Sequence, residues 1–260
     1  MNRRDFMEGV GVAGLAGMGQ EPAMESSKKD RVFVFEQYFL KNGTQPGRIH
    51  EFFSGPLLSS LKKIHGGPQV FMESLVAARQ PQVAVLMGFD SLARMQTVLS
   101  RLEADKEWKQ GMEKWESGEE SPYEECSRSL LKATPYCPPL ANPADAPIGR
   151  KIFEVRVYHS PSQRQLEALH ARFAGPEIKI FHRVGVHPIL YSSAVFGTSL
   201  PNLTYVIPFD SLAAREKAWD AFGQDPEWIR VRKESIDRSG QISLNSQIAL
   251  YRATPYSPIR

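Results

Sequence analysis

The sequence is poor in cysteine. Cys126 and Cys137 are the only two among 260 residues, and they lie eleven positions apart. There is no CxxC pair and no nearby histidine to complete a zinc-binding set, so no structural metal is predicted. A disulfide between the two cysteines would require an oxidising compartment, and the second half of the chain has Ser257 where the first half has Cys137.

The sequence also lacks a large excess of positive or negative charge. It has no long apolar run and no nucleotide-binding motif. The formal net charge is +3, with Lys and Arg dispersed among Asp and Glu, which argues against a nucleic-acid partner. No stretch approaches the roughly 20 apolar residues that span a bilayer. No serine is flanked as G-x-S-x-G, and Gly9, Gly11 and Gly14 match part of G-x-G-x-x-G without the preceding strand that this motif needs.

What the sequence does contain is a repeat with an offset of 120 positions. Phe-Asp-Ser-Leu-Ala at 89–93 returns at 209–213, Glu-Trp at 107–108 returns at 227–228, and Ala-Thr-Pro-Tyr at 133–136 returns at 253–256. His-x-x-Phe-x-Gly-Pro at 50–56 returns at 170–176. Several matches at one offset predict two copies of a single structural unit.

Each copy has the same predicted order of strand, helix, strand, strand, helix, strand. Strand segments are rich in Val, Phe and Tyr, and the helices are predicted from apolar residues three and four positions apart. The Gly-Pro pair should bend the first helix of each unit, because proline lacks a backbone donor. We therefore divide the chain into a leader and spacer at 1–27, a first unit at 28–135, a proline-rich, semi-rigid linker at 136–149 and a second unit at 150–260.

The leader resembles a twin-arginine export signal. Asn2-Arg3-Arg4-Asp5-Phe6 precedes a short, glycine-rich apolar stretch from Met7 to Gly19. This resemblance implies a bacterial protein that is exported already folded to the periplasm or the extracellular side. The alternative is a disordered cytoplasmic leader.

Three further segments resemble the NIPSNAP family. They are the opening strand Phe153-Glu154-Val155-Arg156-Val157-Tyr158, the Phe-Asp-Ser-Leu helix entry at 209–212 and Asp-Pro-Glu-Trp at 225–228. The resemblance implies an α+β fold in which two ferredoxin-like units in tandem form a pseudo-dimer like a dimeric α/β barrel. An exchange of partners between two chains is the alternative. The chain departs from the family where a His and a Trp often precede the helix entry, since it has Val85 and Met87 in one unit and Tyr205 and Ile207 in the other.

Such a barrel leads to a prediction about a ligand site. Strand alternation separates an apolar set, such as Phe153, Val155 and Val157, from a polar set, and we expect the apolar set to lie beneath the helices. The polar set would then line a cavity between the sheets, because charged groups in a concave space are typical of binding sites. The candidate ligand-binding residues are Glu36, Tyr38, Glu154, Arg156, Tyr158 and Tyr205. Alternatively, these residues form a buried hydrogen-bonded network or a wet barrel mouth.

No catalytic constellation is evident from the sequence. His50 and His170 occupy matched positions, which favours a shared packing or hydrogen-bonding role over a metal pair. Our leading hypothesis is a protein without cofactor or metal that binds a small apolar or amphipathic molecule, or a protein partner, between its sheets. A homo-oligomer is one assembly that the sequence leaves open. The alternative is a cofactor-poor monooxygenase or a haem-handling enzyme of the dimeric α/β barrel type.

Overall fold

The structure is a computed structural model that describes residues 31–141 and 149–260. The leader, with its predicted export signal, lies outside these residues, as does the central part of the proline-rich linker.

The first unit forms the predicted order of elements. Its elements are β1 (Val32–Phe39), α1 (Gln45–Phe52), a π-helical turn (Phe53–Leu57), α2 (Leu58–Ile64), β2 (Gln69–Val76), β3 (Gln82–Phe89), α3 (Leu92–Ala104), α4 (Lys106–Glu116) and β4 (Glu125–Ala133). Ser91 caps α3 by accepting a hydrogen bond from the Arg94 backbone N–H, and Asp105 caps α4 in the same way through Trp108. The π-helical turn contains Pro56, which explains why the regular helix is interrupted there.

The second unit repeats the first element by element. It comprises β5 (Ile152–His159), α5 (Gln163–Arg172), a π-helical turn (Phe173–Glu177), α6 (Ile178–Arg183), β6 (Leu190–Phe196), β7 (Asn202–Phe209), α7 (Leu212–Gln224), α8 (Pro226–Ser239) and β8 (Asn245–Ala253). Ser211 and Asp225 cap α7 and α8, and Pro226 stands in the first turn of α8, where its missing donor costs nothing. The predicted repetition of elements is confirmed.

The eight strands form one closed antiparallel barrel in the order β1-β3-β2-β8-β5-β7-β6-β4. Each unit contributes four adjacent strands, and the two units meet at two seams. At one seam β2 pairs with β8, with Met72 opposite Ala253, and at the other β4 pairs with β6, with Ala133 opposite Ser192. Barrel strands and covering helices confirm the α+β class, and closure leaves the sheet without a free edge.

Closure also decides which face of each strand points inward. Phe35 of β1 and Val155 and Val157 of β5 face the interior of the barrel. In contrast, Val34 packs with residues of the helices of the first unit. Our expectation that the apolar set of β1 and β5 lies beneath the helices is therefore wrong. The interior of an eight-stranded barrel is lined by side chains and leaves room for one small molecule at most, so it takes the Phe- and Val-rich set.

The segment that follows β4 packs against the second unit, and the segment that follows β8 packs against the first. We call these two segments the tails. The Thr134 backbone N–H donates to the Tyr191 carbonyl in the second unit at 3.0 Å, and that of Thr254 donates to the Phe71 carbonyl in the first at 2.9 Å. The Cys137 thiol accepts from the Tyr191 N–H at 3.4 Å. Ser257, the counterpart of Cys137, accepts from the Phe71 N–H at 2.9 Å. The two residues therefore accept equivalent hydrogen bonds. Cys126 and Cys137 are both free thiols.

The matched histidines each contact one of these tails. The Tyr136 hydroxyl lies 2.7 Å from His170 Nδ1, and the Tyr256 hydroxyl lies 2.8 Å from His50 Nδ1. Burial lowers the pKa of both imidazoles, so they remain neutral hydrogen-bonding groups near pH 7. Each unit therefore holds the tail of the other through one His–Tyr pair, and the shared hydrogen-bonding role is confirmed.

Removing either tyrosine hydroxyl should weaken the protein measurably. We expect Tyr136→Phe and Tyr256→Phe each to lower the free energy of unfolding in urea by about 1 kcal/mol, since each leaves a half-buried imidazole nitrogen without its partner. Tyr123→Phe is the matched control, because the Tyr123 hydroxyl forms no hydrogen bond to a described residue. Losses no larger than that of the control would refute the interlocking role.

Candidate functional site

A cavity of about 460 Å³ lies inside the barrel, between the two four-stranded sheets. It lies towards the end of the barrel where β1 and β5 finish. Both units line it, and its wall includes Phe35, Gln37, Ser129, Val155, Thr204 and Tyr251. A volume of this size is within the range of small-molecule sites.

The polar groups of the cavity are uncharged except at its mouth. Gln37 Nε2 donates to the Tyr251 hydroxyl at 3.1 Å, and that hydroxyl donates to Gln82 Oε1 at 2.8 Å. Burial raises the pKa of Tyr251 to about 12, so the hydroxyl stays protonated. At the mouth, Arg79 and Glu125 form an ion pair at 2.5 Å. The interior therefore offers apolar walls and neutral hydrogen-bonding groups.

None of the six candidate residues predicted from the sequence points into this cavity. Glu36 and Tyr38 face the helices of the first unit, where the Tyr38 hydroxyl donates to Glu36 Oε2 at 2.8 Å and its ring packs on Phe53 and Trp115. Arg128 on β4 completes this group by donating to Glu36 Oε1 at 2.5 Å. The prediction of one shared cavity between the sheets is wrong for these residues, because the polar set lies on the outer face of the barrel.

The other four candidates meet beneath the helices of the second unit. The Glu154 side chain is fully buried and is surrounded by donors. Arg215 Nε donates to it at 2.6 Å, Trp219 Nε1 donates at 3.0 Å, and Arg156 Nε lies 2.7 Å from its other oxygen. Arg215 and Trp219 lie one helical turn apart on α7, so a single helix face supplies both groups. The carboxylate is thus held between two guanidinium groups.

Arg156 links this carboxylate to two tyrosines. Its Nη1 donates to the Tyr158 hydroxyl at 2.9 Å and, more weakly, to the Tyr205 hydroxyl at 3.4 Å. Its guanidinium carbon lies 4.0 Å from the centre of the Trp219 ring, close enough for a cation–π interaction. Burial raises the pKa of Tyr158 and Tyr205, so both hydroxyls stay neutral.

A second buried carboxylate lies nearby. Glu177, in the π-helical turn of the second unit, accepts from Arg172 Nε at 2.7 Å. Burial raises the pKa of Glu177 to about 7, against the opposing charges of Arg172 and Arg156. Tyr191 packs close by, and its buried hydroxyl has no hydrogen-bond partner among the described residues. The cluster can therefore take up or release a proton near neutral pH.

The first unit has no such cluster. At the offset of 120 positions, apolar residues stand in place of the polar groups: Val34 for Glu154, Leu57 for Glu177, Phe71 for Tyr191, Val85 for Tyr205, Met95 for Arg215 and Leu99 for Trp219. The same fold forms without these charges, and buried ion pairs seldom add stability over apolar packing. The polar cluster is therefore a specific property of the second unit. Sequence reasoning missed Arg172, Glu177, Arg215 and Trp219, which a position-by-position comparison of the repeats would have identified.

Other kinds of site are less well supported. Across residues 31–141 and 149–260, no group of three or more His, Cys, Asp or Glu side chains is placed to hold a metal ion. None of the helices in the same two ranges is long and apolar enough to cross a bilayer.

The ion pairs around Glu154 can be tested by a double-mutant cycle. Glu154→Val introduces the residue of the first unit but leaves Arg156 and Arg215 without their carboxylate, so we expect it to cost about 3 to 5 kcal/mol of unfolding free energy. Adding Arg215→Met, again the residue of the first unit, should recover part of this loss. The two changes together would then cost less than Glu154→Val alone in urea denaturation. Additive losses would contradict the proposed coupling.

Comparison with known proteins identifies a family for part of the chain. Residues 153–258 match the NIPSNAP family model. No curated protein matches the chain.

Several solved structures share the fold over most of both chains. An anthrone oxidase-like protein is 17% identical, with 88% of this chain and 93% of that chain covered and a TM-score of 0.54. A candidate monooxygenase from Fusobacterium nucleatum subsp. nucleatum is 6% identical, with 86% and 92% covered and a TM-score of 0.56. A candidate monooxygenase from Lactobacillus acidophilus is 10% identical, with 88% and 97% covered and a TM-score of 0.52. At these identities the likeness establishes the fold alone. The chain therefore has a dimeric α/β barrel fold, and its residues 153–258 match the NIPSNAP family model.

Proposed function

We propose that this protein binds a small, uncharged and mainly apolar molecule inside its barrel. The observation that carries the proposal is the cavity of about 460 Å³ between the two sheets. Because both units line it, the complete site requires the whole barrel. The sequence also led us to expect a cavity between the sheets, but lined by the six candidate residues. The cavity is instead lined by other residues.

The lining decides the class of ligand. Apolar side chains such as Phe35 and Val155 favour an apolar body, whereas the bonded group of Gln37, Gln82 and Tyr251 offers hydrogen bonds to a hydroxyl or carbonyl. A charged ligand would lose its hydration without gaining an opposite charge, which is costly. A neutral amphipathic molecule therefore fits best.

We also propose that the first unit is a diverged second copy of the NIPSNAP domain. The repeat of sequence motifs, caps and π-helical turns supports this interpretation. The twin-arginine motif supports export of the folded protein to the periplasm or beyond. Both seams close within one chain, so a partner chain is not required to complete the barrel, and a homo-oligomer would use another surface.

The second candidate function is a cofactor-poor monooxygenase. One observation favours it: the second unit buries ionisable Glu, Arg and Tyr side chains together within a fold shared with proteins described as anthrone oxidase-like and as candidate monooxygenases. Haem handling is less well supported, because the residues that line the barrel cavity include no histidine or cysteine as an axial ligand, and the hydroxyl of Tyr251 is already hydrogen-bonded to Gln37 and Gln82.

Filling the cavity should abolish binding. Val157 lines the cavity, so Val157→Trp places an indole in the space, and Val157→Ile is the matched control that adds one carbon. With 2-naphthol as a neutral fluorescent probe, we expect the Trp variant to bind at least about tenfold more weakly, equivalent to about 1.4 kcal/mol. The Ile variant should bind almost as well as the original protein.

Equal affinities of Val157→Trp and the original protein for 2-naphthol would refute the cavity as the binding site. Oxygen uptake with a quinol substrate would instead favour the monooxygenase, particularly if Arg156→Met removed it and Val157→Ile did not.

A further inference from the structure

The buried cluster of the second unit is open to solvent on one side. The side chains of Arg156 and Arg215 are 13% and 25% exposed, although the Glu154 side chain between them is fully buried. On β8, Ile248 is the register partner of Arg156, so the two side chains lie next to each other on the outer face of the sheet. Ile248 is 42% exposed, and it also borders the barrel cavity near the start of β8. Arg156, Arg215, Trp219 and Ile248 thus define a shelf, with β5 and β8 as its floor and α7 as its wall.

The shelf has more positive than negative charge. Two guanidinium groups share the single carboxylate of Glu154, so these three side chains carry a net charge of +1. Arg172 and Glu177 lie behind them as a further pair, and the pKa of Glu177 is raised to about 7, so at neutral pH this carboxylate does not fully neutralise Arg172. A desolvated surplus of positive charge attracts an anion.

In the first unit the charge at the position of Arg156 is neutralised by a side chain of the same chain. There Glu36 stands where the second unit has Arg156, and its register partner on β4 is Arg128, where the second unit has Ile248. Arg128 Nε reaches across the two strands and pairs with Glu36 at 2.5 Å. The first unit therefore supplies an opposite charge from the neighbouring strand, whereas the second unit supplies an apolar side chain.

We propose that this shelf binds the carboxylate of an aromatic acid, a site separate from the barrel cavity and on the opposite face of β5. A planar carboxylate matches the planar guanidinium groups of Arg156 and Arg215. The aromatic part of the ligand would rest on Ile248 and against the edge of Trp219, which is only partly buried. In the second unit the ligand carboxylate would supply the charge opposite to Arg156, as Arg128 supplies the charge opposite to Glu36 in the first unit.

The test is to supply the missing charge from within the chain. Ile248→Glu places a carboxylate opposite Arg156, as Arg128 lies opposite Glu36, and Ile248→Gln is the matched neutral control. With 1-naphthoate as the probe for the full chain, we expect the Glu variant to bind about tenfold more weakly and the Gln variant within about twofold of the original protein. The neutral analogue 1-naphthamide should bind at least about tenfold more weakly than 1-naphthoate.

Two further measurements keep the test specific. Val157→Trp should leave the affinity for 1-naphthoate unchanged, because Val157 lines the barrel cavity on the other face of β5. Circular dichroism should show both Ile248 variants folded, since Ile248 is 42% exposed. The proposal is overturned if 1-naphthoate does not bind, if the Glu and Gln variants bind equally, if 1-naphthamide binds as tightly as 1-naphthoate, or if Val157→Trp removes binding.

Discussion

The hydrogen-bonded seams between β2 and β8 and between β4 and β6 determine the rest of this structure. Once the two sheets are joined at both edges, each strand has one face in the barrel and one face beneath the helices or in solvent. Register then fixes the orientation of every side chain. Phe35 and Val155 fill the barrel, and Glu36 and Arg156, one position away along the chain, are directed outward. Both the cavity and the polar cluster follow from this one constraint.

The two units bury different side chains on the same order of strands and helices. Beneath its helices the first unit packs Val34, Val85 and Trp115, and its ion pair of Glu36 with Arg128 lies near the open side. The second unit replaces much of this apolar packing with ionisable groups centred on Glu154. Because the first unit folds without such groups, stability does not explain their presence. Comparing each residue of the second unit with the residue 120 positions earlier therefore shows which of its side chains the fold does not require.

The sequence was sufficient to predict the repeat, the order of elements and the helix interruptions at the two Gly-Pro pairs. These features depend on local chemistry, which short patterns record. The orientation of the strands could not be predicted in the same way. In a closed barrel both faces of β1 and β5 are largely buried, so the alternation of residues such as Phe35 and Glu36 separates two faces without saying which is inside.

Part of the candidate cluster was predicted and part was not. Glu154, Arg156 and Tyr158 share one strand, and their alternation correctly indicated that they lie on a common face. Arg215 and Trp219 come from α7, where they belong to no motif, and only tertiary structure brings them to Glu154. Their distinguishing feature is the contrast with Met95 and Leu99 in the first unit, which becomes informative once the fold shows that Arg215 and Trp219 contact Glu154 on β5.

The most direct test of the closed barrel is a cross-link across one of its seams. Glu73 on β2 and Arg252 on β8 are register partners, so cysteines at these positions lie within disulfide range in the closed barrel. In a chain with Cys126 and Cys137 replaced by serine, Glu73→Cys with Arg252→Cys should form an intramolecular disulfide under mild oxidation and keep the native circular dichroism spectrum. Failure of the folded protein to form this disulfide would contradict the closed barrel, and with it the cavity and the orientation of every strand residue described above.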